Sequence, residues 1–573
     1  MATALTECGA VRGVASGGAA SYKSIPYAKP PIGPLRWQPP VRLRPGDGCW
    51  SGTLDATTFA PACLQAAKYG KGGPSSEDCL RLHVWSPVRA TRQLPVLVWL
   101  HGGGLLEGSA FSIQSGFEAV GDRLPTALDA VIVGVEYRLG VAGFLSLDAL
   151  TARDRRGRSG NYGLLDVIEA LRWVQSNVAS FGGDAGRVTV GGQSSGGSLV
   201  FALLASPLSR GLVHGAISLS GSPRLNSTTA EAAAYWHRQV VHRTRCASMP
   251  AAALAHCLLS LNATELLASQ PADWHSDVFG WGVFSPTFQY APLLLIDGEG
   301  GVLPHAYIDA AGAPPPSMDV SVPLVVGSTA QEADFAPSED VRALTRTGFA
   351  SFLRRRLEPT LGRVFTSKLV AIYAAGDENT PGDAGVLETT ASIAVHAKAH
   401  VAFDAQRTYS ELVADATVVC PNLLLASAWQ AARGASSAVY AYRASQTLSH
   451  PFCVLRDTRF NPPYCPLYSF HASDMFAWLR PQRTSHFNYN FSRADREYGE
   501  LINQQFAAVV HGERPPGWSR CHNSTTPLKD ALPAGFAVSE LRTPDAPMVH
   551  GDKAAACRLW LENRWYEKIG LIN

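Results

Sequence analysis

Val188-Thr189-Val190-Gly191-Gly192-Gln193-Ser194-Ser195-Gly196 is the stretch that decides how this chain folds. The β-branched triplet predicts a buried strand. The apolar run Leu199 to Leu204, just beyond, predicts a helix. Between them lies Gly-x-Ser-x-Gly, residues 192–196. That pattern suits a tight strand-to-helix turn holding one hydroxyl, that of Ser194, exposed at the edge of a sheet. Glycine is needed on both sides, because a Cβ there would collide with the neighbouring strand or helix. A five-residue pattern is weak alone, and its weight comes from the strand before it and the helix after it. Ser195 sits one position past the apex and is assigned a main-chain role only.

Working outward, Leu94 to Leu100 (LPVLVWL) is a continuous apolar run that ends in His101-Gly102-Gly103-Gly104. Val131 to Val135, Ala216 to Leu219 and Val322 to Val326 are further strand candidates. Leu164 to Val178 carries apolar residues at helical spacing. Strands alternating with helices imply a parallel sheet inside an α/β fold. The glycine run brings main-chain N–H groups close to a bound oxygen. Such donors stabilise developing negative charge by about 2.7–4 kcal/mol each. A phosphate loop would need Lys followed by Ser or Thr after the last glycine; Leu105-Leu106 stands there instead.

The 573 residues are 46% hydrophobic and 17% charged, enough for a large core. Their 49 basic and 47 acidic side chains leave a formal charge of +2, which points away from nucleic acid and anionic membrane as partners. No run of about 18 apolar residues predicts a spanning helix. Met1 to Ala10 lacks the features of a signal peptide, and the C-terminus lacks an anchoring tail. Eleven cysteines, with sequons at Asn226, Asn262, Asn490 and Asn523, suggest a secreted or lumenal protein whose targeting segment lies outside this chain. No His/Cys cluster has metal-ligand spacing.

Several longer blocks accompany the serine turn. They are Ser24-Ile25-Pro26-Tyr27-Ala28-Lys29-Pro30-Pro31, Glu77-Asp78-Cys79-Leu80-Arg81-Leu82-His83-Val84-Trp85, Tyr137-Arg138-Leu139-Gly140, Gly160 to Asp166 (GNYGLLD) and Phe181-Gly182-Gly183-Asp184. Together they resemble the type-B carboxylesterase and cholinesterase family from about Cys8 to the C-terminus. The resemblance implies an α/β-hydrolase fold, with a large, mixed, mainly parallel sheet flanked by helices. It implies one catalytic domain over 1–573, a site at the bottom of a gorge, no cofactor, no metal, and a small-molecule ester as substrate.

It also selects residues that spacing cannot. A serine hydroxyl needs a base, and the base needs an orienting acid. Of 16 histidines, His471 opens a block, HASDMFAWL, similar to the family's H-G-x-[DE] segment, which implies the general base. Gly327-Ser328-Thr329-Ala330-Gln331-Glu332 resembles the strand-end segment that carries the acid, which implies Glu332, with Asp334 as local competitor. Asp474 is expected behind the triad. Ala333 and Ala472 stand where the family usually has glycine. The N–H groups of Gly103, Gly104 and Ser195 are implied as the oxyanion hole. Cys63–Cys79, Cys246–Cys257 and Cys420–Cys557 are the implied bridges; Cys8 with Cys49 and Cys453 with Cys465 are local candidates, leaving Cys521. A choline site is disfavoured: the loop between Cys63 and Cys79 has 15 residues, no Trp and only Tyr69 as an aromatic, and Gln193 replaces the usual glutamate. Phe288 and Tyr290 are candidates to narrow an acyl pocket, with Gln193 beside them. The rival readings are a catalytically silent adhesion ectodomain of the same family, a lipase and a cholinesterase.

Overall fold

The computed structural model describes residues 1–563 apart from 67–73, 89–90, 111, 114–116, 119–122, 272–273, 275–291, 309–312, 336, 338, 375–402, 434–437, 451, 454–459, 481–488, 522–535 and 552. Among the described residues, thirteen strands form one sheet. Its middle is parallel. Strand Val131–Val135 lies beside Leu94–Leu100, followed in order by Gly183–Gln193, Gly215–Leu219, Leu324–Thr329, Val439–Ala444 and Ala537–Leu541. Antiparallel strands close both edges: Ala2–Thr6, Gly9–Ser16, Ala19–Pro26 and Arg81–Pro87 on one side, Met548–His550 on the other. This is the mixed, mainly parallel sheet of the α/β-hydrolase fold.

The apolar strands are continuous because both faces are covered. Side chains alternate across a strand, so one run feeds two cores. Leu94, Val96, Val98 and Leu100 enter one core, with Val131, Val133 and Val135. Leu97, Trp99 and Ile132 enter the other. Helices Tyr162–Asn177 and Ser195–Ala205 cover the first face. Helices Ser473–Leu479 and Arg493–Val510 cover the second. Fully burying each such Val or Leu stabilises the fold by about 1.5–3 kcal/mol.

One expected strand is displaced. Val322 to Val326 reads as strand, yet pairing runs from Leu324 to Thr329. Pro323 has no N–H for the ladder, and only its carbonyl is used, accepting from Ala216 N at 2.9 Å. Val322 instead closes a turn onto Asp319 O.

Helical stretch Ala405–Ala432 is long and apolar enough to cross a membrane by composition, but its apolar window is wholly buried inside the protein. Five disulfides are present: Cys8–Cys49, Cys63–Cys79, Cys246–Cys257, Cys420–Cys557 and Cys453–Cys465. They suit an oxidising compartment. Cys521 is a buried free thiol, and burial pushes its pKa up.

Candidate active site

The parallel strands end level with one another. Gly192 is in register with Leu100 and Ser218, and Leu219 with both Gln193 and Gly327. Ligands of α/β sheets bind outside these carboxyl ends, and the loops that leave them carry the expected residues.

Ser194 follows strand Gly183–Gln193 directly and caps helix Ser195–Ala205. Its φ of 60° and ψ of −128° lie where a non-glycine residue is strained, at about 1–3 kcal/mol. The strain is held by a bond from Ser194 N to Leu219 O (2.8 Å) and one from Ser198 N to Ser194 O (3.0 Å). A Cβ on Gly192 would strike the main chain of Gly196, and one on Gly196 would strike the carbonyls of Leu100 and His101. The two glycines let strand and helix close around the turn.

The loop after strand Leu94–Leu100 wraps over this turn. Gly103 and Gly104 both have positive φ, 121° and 66°. No hydrogen-bond acceptor among the described residues engages their N–H groups. Gly103 O is fixed by Leu106 N and Glu107 N, each at 3.1 Å. Below, the His101 ring stacks on Tyr137 at 4.4 Å, and Tyr137 donates its hydroxyl to His101 O at 2.7 Å. Burial holds the His101 imidazole below its usual range, which favours the neutral form. The Ser195 hydroxyl accepts from Leu105 N at 3.1 Å. A main-chain role alone is therefore too little for Ser195: its side chain ties the glycine loop to the helix that begins at the serine turn.

Glu332 and His471 meet across 139 positions of chain. His471 Nδ1 lies 2.6 Å from Glu332 Oε2. The other carboxylate oxygen accepts from Thr329 N at 2.7 Å. Glu332 is 0% exposed, His471 5% and Ser194 4%. Gln193, next to Ser194, places its amide nitrogen 3.0 Å from His471 Nε2. The imidazole thus has the Glu332 carboxylate on one nitrogen and the side-chain amide of Gln193, the residue before Ser194, on the other. The rings of Phe335 and His471 pack T-shaped, with centroids 6.1 Å apart.

Asp334, the alternative acid, points elsewhere. Its carboxylate accepts from Gln406 Nε2 (2.6 Å), Leu467 N (2.7 Å), Tyr468 N (2.8 Å) and the Tyr464 hydroxyl. It anchors the loop that delivers His471. Asp474 accepts from Tyr442 at 2.8 Å and Met475 N at 2.8 Å. Burial, with Glu332 close by, pushes the Asp474 carboxyl up to about 6. Neither anchoring role has a local signal, because the side-chain partners Gln406, Tyr464 and Tyr442 are distant in sequence.

Phe288, Tyr290 and Asn523 lie outside the described residues, as does Tyr69. Asn226, Asn262 and Asn490 are exposed. Asn262 also caps a helix, accepting from Glu265 N at 2.9 Å.

Comparison with known proteins agrees with this architecture. The model of the carboxylesterase family matches residues 2–560. The chain belongs to the carboxylesterase family. It is 40% identical over 265 residues to acylcarnitine hydrolase of Mus musculus, covering 44% of each chain. It is 39% identical over 268 residues to cocaine esterase of Homo sapiens (44% of this chain, 45% of the relative). It is 42% identical over 234 residues to fumonisin B1 esterase of Sphingopyxis macrogoltabida (40% and 42%). The matched stretch spans less than half the length of each of these relatives. A solved PNB esterase shares the fold, with a TM-score of 0.69 at 24% identity over 98% of this chain and 99% of that one.

Proposed function

We propose that this chain hydrolyses small-molecule carboxylic esters through a covalent acyl-serine at Ser194. The observation that carries this reading is the buried 2.6 Å pair of His471 Nδ1 and Glu332 Oε2 beside the strained serine turn. With Nδ1–H held by the carboxylate, the lone pair of His471 that can take a proton is on Nε2, the nitrogen that faces Gln193. His471 takes the Ser194 proton as Oγ attacks the ester carbonyl carbon. The carbonyl oxygen becomes an oxyanion and rests on the N–H groups of Gly103, Gly104 and Ser195. The imidazolium then returns its proton to the departing alcohol, and the acyl–oxygen bond breaks. Water attacks the acyl-serine with His471 again the base, releasing the carboxylic acid and restoring Ser194. Residues 1–573 act as one catalytic domain, with no cofactor in the steps. Five disulfides support a secreted or lumenal location.

The test is a panel of chromogenic esters of graded acyl length, with and without a choline leaving group, run on the wild type and on Ser194→Ala. Hydrolysis by the wild type alone, without preference for choline, is the expected result. No hydrolysis by either, with no labelling by an organophosphate, favours a binding ectodomain. Activation above the substrate's solubility limit marks a lipase.

A further inference from the structure

We infer that Gln193 is a positioning residue that holds the imidazole of His471 in its neutral form by donating an amide N–H to Nε2. The inference rests on the ester-hydrolase reading and concerns the same site. Its chemistry follows from two contacts. The Glu332 carboxylate can only accept, so the Nδ1 of His471 that faces it at 2.6 Å carries the proton. The neutral ring then has its lone pair on Nε2. The Gln193 atom 3.0 Å from that lone pair must be a donor, which the NH2 end is and the carbonyl end is not.

A Cβ on Gly102 would lie 2.9 Å from Gln193 Oε1 and 2.8 Å from Gln193 O. Glycine at 102 leaves room for the carbonyl end of the amide against the glycine loop, and the NH2 end is turned towards His471. Gln193 itself is 5% exposed, and its backbone is locked in the sheet opposite Leu219.

A hydrogen bond donated to the neutral form of a base opposes its protonation, whereas a carboxylate at the same place would promote it. Gln193 therefore extends the pH range in which His471 can act as a base towards the acid side. It also competes with the Ser194 hydroxyl for the same lone pair, so the amide must yield when a substrate is attacked. Among the described residues, other charged or titratable groups near the ring include Glu332 on Nδ1, Asp474 behind it and Tyr442 bonded to Asp474. None is altered by a change at 193.

The experiment compares kcat/KM against pH for the wild type, Gln193→Leu and Gln193→Glu, each normalised by organophosphate titration of Ser194. Leucine removes the donor, and the acid-limb midpoint should rise by about half a pH unit. Glutamate adds a charge that favours the imidazolium, and the midpoint should rise by about one to two pH units. At a pH one unit below the wild-type midpoint, the glutamate variant should retain roughly a tenth or less of the wild-type rate. A leucine midpoint equal to or below that of the wild type would overturn the inference, even if the glutamate variant failed to fold. Absence of a titratable serine in the wild type would instead defeat the underlying esterase reading.

Discussion

His471 and Glu332 are joined twice. The imidazole Nδ1 lies 2.6 Å from the carboxylate, and His471 N donates to Glu332 O at 3.3 Å. Side chain and main chain together fix both the place and the tautomer of the ring. Glu332→Gln retains the shape but offers an amide that can also donate, so the ring loses its preference for a proton on Nδ1. Where an orienting carboxylate has been replaced by its amide in a comparable triad, turnover falls about 10⁴-fold. A loss of similar size in kcat, with the far-ultraviolet circular dichroism preserved, is expected here. A loss under tenfold would contradict the orienting role.

Asp474 ties stability to pH. Burial raises its folded-state pKa from 3.8 to about 6. Between roughly pH 4 and pH 6 the folded chain therefore holds a proton that the unfolded chain has released. The stability that Asp474 contributes falls as pH rises through that window, by up to roughly 3 kcal/mol at about 1.36 kcal/mol per unit, while the buried His237, lowered to about 4, contributes in the opposite sense. Burial also raises Asp334 to about 6, so both carboxyls contribute to the slope. Asp474→Asn should remove this one contribution, making the slope of unfolding free energy across pH 4–6 less negative by up to roughly 1.4 kcal/mol per pH unit. An unchanged slope in denaturant titrations would show that Asp474 does not titrate there.

Arg138 and Asp166 form a fully buried bidentate pair, with Nε and Nη2 of the guanidinium at 2.8 and 2.7 Å from the two carboxylate oxygens. Asp166→Ala would leave that cation unpaired in the core. The expected cost is about 3–5 kcal/mol, read as a lower denaturation midpoint at unchanged m-value.

Ala472 follows His471 and has a φ of 72°. An L-residue in that left-handed region costs about 1–2 kcal/mol, offset in Ala472→Gly by the greater backbone entropy of glycine. The substitution should raise stability by roughly 0.5 kcal/mol. A loss of about 1 kcal/mol, usual for Ala→Gly inside a helix, would mean that the strain is absent.

Much of the fold is legible in the sequence, because it depends on local signals. Leu94 to Leu100 and Val131 to Val135 are continuous apolar runs, and a run of that kind announces a strand covered on both faces. The displaced strand after Pro323 arises where proline chemistry outweighs apolar pattern. The site is a different matter. Gly192 to Gly196 and Gly102 to Gly104 carry their own punctuation, but nothing near His471 distinguishes it from the other histidines. Family resemblance nominated it, and only three-dimensional packing brings it to Glu332 and Gln193. The bond from Leu105 N to Ser195 Oγ and the four donors around Asp334 have no local pattern at all. They join segments that only the folded chain makes neighbours.

The nucleophilic hydroxyl is the central claim, and intact-protein mass spectrometry after organophosphate treatment tests it most directly. One phosphyl adduct per chain is expected, mapped to the peptide containing Ser194 and missing from Ser194→Ala. An adduct that persists in Ser194→Ala, or a wild type that takes up none while turning over esters, would contradict it.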